Sequence, residues 1–299
     1  MLERLSALAA RQDGLLTRFQ LLSAGVPSST IGTWAARQQL IVVHRGVYAL
    51  PASELTIRAT ARAAVLALGD VPAVASYQLA ANVRGLGVRA LGTPAHVTIP
   101  TALHRPSRRA LVIHRADLRN GEVKEVEGLR VTIVPRTLGD LLCGDDRLSA
   151  VWACEAALRR QLITDADLKE VVRRCAGRRH ATRSRHWRAL VDVRSESPLE
   201  TAIRLLLLDA GLPSPVPQHP VRSSDGRLLA RLDLAWPDRR LGLEADGKEP
   251  HGQPRPIYTD RWRANALVGW QLIRFTWHDV LRRPAYIAAT VHAHLCAAA

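Results

Sequence analysis

Lysine is nearly missing from this sequence. Lys124, Lys169 and Lys248 are the only three in 299 residues, so almost all of the 42 Lys+Arg positions are arginine. The guanidinium fork suits phosphate recognition, although an arginine- and alanine-rich composition also follows from a genome of biased base content. Cysteine is scarce too. Cys143, Cys154, Cys175 and Cys296 form no C-x-x-C pair and have no metal-ligand spacing. That excludes a disulfide framework and a zinc ribbon, and the four read as buried thiols of a reducing compartment. Long apolar runs are missing: the best, "AIRLLLLDAG", is far too short to span a bilayer, and "MLERLSALAARQDG" has no basic segment followed by an apolar one. The expectation is a cytoplasmic protein with no membrane partner. There is no internal repeat, no glycine-rich phosphate loop, no G-x-S-x-G elbow and no kinase signature, which excludes those enzyme classes.

What is present is a large excess of positive charge. With 27 Asp+Glu against 42 Lys+Arg the net charge is +15 and the isoelectric point about 11.0. Such a balance attracts polyanions, so DNA is the expected partner. A 299-residue chain that is 47% hydrophobic has room for two or three cores.

Three segments emerge from the pattern. In the first, residues 1–52, "LLTRFQLLSAG" reads as a helix carrying Leu15, Phe19 and Leu22 on one face and ending at Gly25. In "VPSSTIGTWAARQQL", Ser28 or Ser29 can cap a second helix that turns Ile31, Trp34 and Ala35 toward the first. "IVVHRGVYAL" reads as a hairpin around Arg45-Gly46. Two helices and a hairpin make a winged helix-turn-helix, with Ser29, Thr30, Thr33, Arg37 and Arg45 facing outward as candidate base and phosphate contacts. Plain helix-hairpin packing yields the same pattern.

The quoted elements GLLTRFQL and VVHRGVYAL resemble the opening G-(V/L)-x-T-x-x-Q-L and closing V-x-R-G-V-Y of the abortive-infection type IV antitoxins and their actinobacterial relatives. The resemblance implies a winged helix that binds operator DNA, with a toxin protein as a further partner. The second segment, residues 53–190, mixes helices and strands, and "VTIVPRTLGDLL" resembles the linker domain of the same antitoxins. Arg136 and Asp140 are spaced i, i+4 for a structural ion pair. The basic run "RRCAGRRHATRSRHWRAL", residues 173–190, reads as a solvated face or linker, or as an arm that guides a nucleic-acid backbone by charge.

The third segment, residues 191–299, opens with Ser197, Pro198 and Glu200 in a capping-box arrangement. In "LDLAWPDRRLGLEADGKEPHG" a turn at Pro237 to Arg240 pairs Trp236 with Leu241, and so brings Asp233 opposite Glu244. Alternation then puts Asp246 on the face of Glu244, and Leu232, Leu234, Leu241 and Leu243 on the other. Opposed carboxylates about 5 Å apart repel unless something positive lies between them. A divalent cation is one remedy, and Mg²⁺ or Mn²⁺ held by Asp233, Glu244 and Asp246 has a use in phosphodiester hydrolysis. Neutralisation by Arg231, Arg263 or Arg274 is the other.

Glu200, Asp233, "GLEADG", "DRWRANAL", "GWQLIRFTW" and "DVLRRP" together resemble the very-short-patch-repair (Vsr-like) endonucleases of the PD-(D/E)xK superfamily. The resemblance implies a restriction-endonuclease-like mixed sheet flanked by helices. It also implies that Asp233 and Glu244 are metal ligands and Glu200 an outer ligand. Asp246 stands where the superfamily places lysine; Lys248 and His251 are the candidates to replace it, and Arg263 is a candidate DNA contact. The expectation is therefore an α/β protein of three domains, 1–52, 53–190 and 191–299. It is either a metal-dependent DNA endonuclease or nickase, or a non-catalytic repressor or antitoxin that uses a degenerate nuclease fold as a platform.

Overall fold

In the computed structural model the described residues are 2–88, 94–247, 267 and 269–297. Lys248, His251 and Arg263 lie outside them. The first 50 residues run α1 (Leu2–Ala10), β1 (Leu15–Thr17), α2 (Arg18–Ser23), α3 (Ser28–Ala36), β2 (Ile41–His44) and β3 (Val47–Ala49). The strands form an antiparallel sheet in the order β1-β3-β2. Leu5, Leu16, Leu21, Val26, Ile31, Leu40 and Tyr48 are the buried centre beneath the three helices, with Trp34 and Ala35 packed against it.

Two expectations for this region need correction. Leu15 starts a strand, and the helix begins at Arg18, because Thr17 and Gln20 form a reciprocal capping box that stops it there. The inward face differs as well: Leu21 points inward, and Phe19 and Leu22 are left 77% and 43% exposed. Neither Ser28 nor Ser29 caps α3. Its N-cap is Pro27, which makes no side-chain cap bond.

The middle of the chain follows with α4 (Ile57–Leu66), β4 (Val74–Ala75), α5 (Tyr77–Val83), β5 (Ala95–Ile99), β6 (Leu111–Arg115), β7 (Val123–Val126) and β8 (Leu129–Thr132). After these come α6 (Val134–Leu142), α7 (Arg147–Arg159), α8 (Asp165–Arg174) and α9 (Ala181–Ala189). The five strands make a mixed sheet, β6-β5-β4-β8-β7. One core lies between that sheet and α4 and α5, and a second sits among α5, α6, α7 and α8.

The basic run is no linker. It contains α9, whose Ser184 is fully buried and whose Trp187 packs on the helical core. Carboxylates hold its arginines in place: Arg178 to Asp140 at 2.6 Å, Arg183 to Asp145 at 2.6 Å and Arg188 to Asp165 at 2.7 Å. The Arg136–Asp140 pair is present at 2.9 Å. Of the thiols, Cys154 and Cys175 are buried, Cys143 is half-buried and Cys296 is exposed, the last against the reading of four buried thiols.

The C-terminal region is α10 (Pro198–Asp209), β9 (Val216–Arg222), β10 (Leu228–Trp236), a 3₁₀ turn at Pro237–Arg239, β11 (Leu241–Asp246), β12 (Gln271–Thr276), α11 (Trp277–Arg282) and α12 (Pro284–Ala297). Strands β9, β10 and β11 form an antiparallel meander, and β12 lies parallel to β11 at the edge. Leu199, Ile203 and Leu207 of α10 and Ile287 and Val291 of α12 cover one face over Leu234, Leu241, Leu243 and Phe275. No helix among the described residues is long and apolar enough to cross a membrane.

Salt bridges and hydrogen bonds join these regions. Asp13, before β1, meets Arg58 and Arg62 of α4 at 2.6 Å each, and Arg62 also donates to the Glu127 and Gly128 carbonyls in the β7–β8 turn. At the other end, buried Glu155 of α7 accepts from the Asp192 amide, the Thr201 hydroxyl and Arg204 at 2.9, 2.5 and 2.5 Å. That contact fastens α10 to the middle of the molecule.

Candidate nucleic-acid interface and acidic cluster

The T-x-x-Q element fixes α2 by local hydrogen bonds. The Thr17 hydroxyl accepts from the Gln20 amide at 3.2 Å, and the Gln20 carbonyl oxygen of the side chain accepts from the Thr17 amide at 2.8 Å. Gln12, at the end of α1, donates to the same Gln20 oxygen at 3.1 Å, which joins α1 to α2. Gly25, at φ +86°, reverses the chain after α2, and the Val26 amide returns to the Leu21 carbonyl at 3.0 Å. A residue with a side chain is strained at that angle, which is why glycine stands there.

The R-G-V-Y element does the same for the hairpin. Val47 and Tyr48 are buried, Arg45 stands exposed in the turn, and the Gly46 carbonyl accepts from the Arg18 amide at 2.8 Å. The hairpin turn is thus tied to the first residue of α2. The Arg18 guanidinium also reaches the Ser28 hydroxyl at the start of α3. Arg18 was not among the residues singled out from the sequence; only its place inside the T-x-x-Q element hinted at it.

On α3, Ser29 and Thr33 are exposed, Thr30 is half-buried, and Arg37 is exposed at the C-cap. The Thr33 hydroxyl donates to the Ser29 carbonyl at 3.1 Å, so it has an acceptor lone pair left for an outside donor. From Gly14 to Ser53 the sequence contains no Asp or Glu. The surface that carries Arg18, Arg37 and Arg45 therefore has no carboxylate of its own.

In the C-terminal sheet the ladder runs Leu234↔Leu243, Ala235↔Gly242 and Trp236↔Leu241, the register expected from the turn. It stops one pair short of Asp233. There the Asp233 carboxylate takes the place of a backbone acceptor and receives the Ala245 amide at 2.9 Å. Strand β10 changes face at this point. Leu232 packs with Val221, Ala230, Ala235 and Leu267, away from the cluster that holds Leu234, Leu241 and Leu243, so these four leucines do not share one face. Gly242 is required here, because a Cβ would stand 2.7 Å from Leu232 Cδ1 and 2.8 Å from Leu272 Cδ2.

Glu200 lies in the first turn of α10, only 4% exposed. The Ser197 hydroxyl caps the Glu200 amide at 3.2 Å, and the same side chain also bonds the Glu200 carboxylate. That carboxylate accepts from the Glu196 amide at 2.9 Å and from Gln218 at 2.8 Å. Burial raises the Glu200 pKa above the usual carboxylate value, and the negative charge of Asp233 adds to the rise, which places the two acids close together. Gln218 is itself held at φ +52°, in the left-handed region.

Glu244 is 5% exposed, and Arg274, its register partner on β12, approaches its Oε2 at 3.2 Å. Of the two remedies for crowded acids, arginine is the one visible here, through Arg274; Arg231 goes instead to Glu196 at 2.7 Å. Asp246 is exposed at the end of β11 beside Thr276. Among the described residues no three His, Cys, Asp or Glu side chains are grouped to hold a metal ion. The donor set described, with Arg274, the Ala245 amide and Gln218 already on its oxygens, does not fit a divalent cation as it stands.

A larger groove, about 830 Å³, opens between α6 and α8 beside Arg136, Glu170, Arg173 and Arg178. Glu122, Asp140 and Glu170 neutralise these three arginines, and burial pushes the Asp140 carboxyl up despite Arg136 and Arg178 beside it.

Residues 3–51 match the family model described as "Transcriptional regulator, AbiEi antitoxin". The uncharacterized protein Rv2248 of Mycobacterium tuberculosis is 31% identical over 202 residues, which is 67% of this chain and 73% of the relative. The uncharacterized protein MT2308 of another strain of that organism matches to the same extent. The chain belongs to their family. Its N-terminus carries a transcriptional-regulator domain of the AbiEi antitoxin type, and the matched region ends just after β3.

Proposed function

We propose that this protein is a cytoplasmic, sequence-specific DNA-binding regulator, the antitoxin of a type IV toxin-antitoxin pair, that reads operator DNA with an N-terminal winged helix. The observation that carries the reading is the coincidence of the AbiEi match over residues 3–51 with a helix–strand–helix–helix–hairpin in which residues 14–53 include arginines and no acid. Helix α3 enters the major groove with Ser29, Thr30 and Thr33 toward base edges; Arg37 and Arg45 take phosphates on either side. Backbone contacts set the register and the α3 side chains set the sequence. Residues 53–190 and 191–299 then serve as platforms, the second using a nuclease-like sheet to bind without cutting, with a toxin protein as a partner. Footprinting upstream of the protein's own gene tests this: protection that persists in EDTA and is lost with Arg37→Ala supports it, and the absence of any protected site sinks it.

A second reading keeps the C-terminal region as a Mg²⁺- or Mn²⁺-dependent endonuclease or nickase. What favours it is the proximity of Asp233 to Glu200, with a left-handed Gln218 bonded to Glu200. An ion there would need Glu244 to exchange Arg274 for the metal, and Asp246 to join it. Cleavage of supercoiled plasmid with either cation, abolished by Asp233→Asn, would establish this reading; inert plasmid with both cations would remove it.

A further inference from the structure

Two acid-free stretches meet beside the hairpin. One is residues 14–53; the other runs from Val71 to Ala116 and contains no Asp or Glu at all. Strand β2 of the hairpin and strand β5 both pack on α4, so the segment that leaves β5 emerges on the hairpin's side of the molecule. The charge of Arg108 reaches His44 in β2, where, after burial, it is the second influence lowering the imidazole pKa. Residues 104–110, HRPSRRA, are exposed throughout.

The segment is held in shape. The Arg108 amide donates to Leu111 O at 2.8 Å and the Leu111 amide returns to Arg108 O at 3.0 Å, which closes a tight turn with Arg109 at its tip. The Ser107 hydroxyl accepts from the Ile113 amide at 2.9 Å. In the middle region Arg136, Arg178, Arg183 and Arg188 each sit on a carboxylate. Among the described residues Arg105, Arg108 and Arg109 have none, and the hydrogen bond that Arg105 makes is to the neighbouring His104 carbonyl. Three exposed guanidiniums on or beside this turn, without counter-charge, form a local positive field that a polyanion relieves.

We propose that the β5–β6 turn is a second DNA-backbone contact, in which Arg105, Arg108 and Arg109 extend the surface of the hairpin along the phosphate chain. It rests on the DNA-binding reading of the N-terminal region and adds to it a contact outside the matched family region. Because the turn meets phosphates, it strengthens binding to every duplex alike and leaves sequence choice to α3.

The test uses the full-length protein and fluorescence anisotropy on two duplexes, the DNA upstream of its own gene and a scrambled sequence of equal length, across a salt series. The variant Arg105→Ala/Arg108→Ala/Arg109→Ala should bind both duplexes roughly 10- to 100-fold more weakly, and its slope of log affinity against log salt should be shallower by about 2 to 3. The corresponding triple Arg→Lys variant should keep the slope, since a point charge serves a phosphate. Thr33→Ala, at a residue assigned to base edges, should instead lower affinity for the upstream duplex more than for the scrambled one. Wild-type affinity and slope in the triple Ala variant overturn the proposal while leaving the winged-helix reading in place. So does a loss confined to a single-stranded RNA competitor. If the wild-type protein binds neither duplex at low salt, the winged-helix reading itself fails.

Discussion

The Arg62 guanidinium stands between the N-terminal helices and the rest of the molecule: Nε binds Asp13 Oδ2 at 2.6 Å, and Nη2 binds the Glu127 carbonyl at 2.8 Å. With Arg58, which also meets Asp13 and Glu127, and the packing of Leu15, Val47 and Ala49 on Ala63, it helps fix the direction in which the hairpin and α3 face. Burial opposes an ionised Asp13, but Arg62 and Arg58 outweigh it and hold the carboxyl below its usual value of 3.8. A depressed carboxylate pKa stabilises the fold above the unfolded value, and that contribution disappears as pH falls through the folded one. Arg62→Ala should lower stability by about 2 kcal/mol at pH 7 in denaturant unfolding, and the gap between variant and wild type should narrow below about pH 4.

Glu155 should give the opposite pH dependence. Burial raises its pKa to about 7, against the Asp192 amide, Thr201 and Arg204, which favour the charged form. The folded state therefore holds a proton that the unfolded chain has released, so this stabilisation is complete below about 4.5 and is lost as pH rises toward 7. In Glu155→Gln the fall in unfolding free energy between pH 5 and pH 8, read by urea unfolding, should be smaller by about 1 to 3 kcal/mol.

Thr17→Ala removes the acceptor for the Gln20 amide and half of the capping box. It should cost about 1 kcal/mol of stability. Affinity for the upstream duplex should fall as well, because α2 and the Arg18 link to Ser28 and Gly46 set the position of α3.

Gly242→Ala puts a methyl group 2.7 Å from Leu232 Cδ1 with Leu272 equally close on the other side. Overpacking at such a site costs about 1 to 3 kcal/mol, measurable by urea unfolding. Because β10 changes face next to this contact, the substitution should also disturb the Asp233 bond to Ala245, whereas DNA binding by the N-terminal region should survive.

Much of this was legible in the residues, and the failures have local causes. The hairpin register was readable because Pro237 to Arg240 can close only as a short turn, so Trp236 had to face Leu241. The contact between Arg136 and Asp140 followed from their spacing alone. The start of α2 was misplaced because Leu15 and Leu16 fit a helical pattern and a buried strand equally well, and only the Thr17–Gln20 bonds decide between them. Periodicity could not reveal that Leu232 leaves the face of Leu234, since the cause is the Asp233 side chain acting in place of the backbone. The basic run, much of it exposed, looked like a linker because the counter-charges of Arg178, Arg183 and Arg188, namely Asp140, Asp145 and Asp165, are distant in sequence. Arg274 opposite Glu244 was one of two open remedies, and only strand order placed it.

The central claim is that residues 3–51 direct this protein to a specific operator without help from a metal ion. The most direct measurement is DNase footprinting of the full-length protein on the DNA upstream of its own gene, with and without EDTA. A discrete protected site that is unchanged by EDTA and erased by Arg37→Ala is the predicted result. Protection that disappears with EDTA, or none at all, would contradict the account.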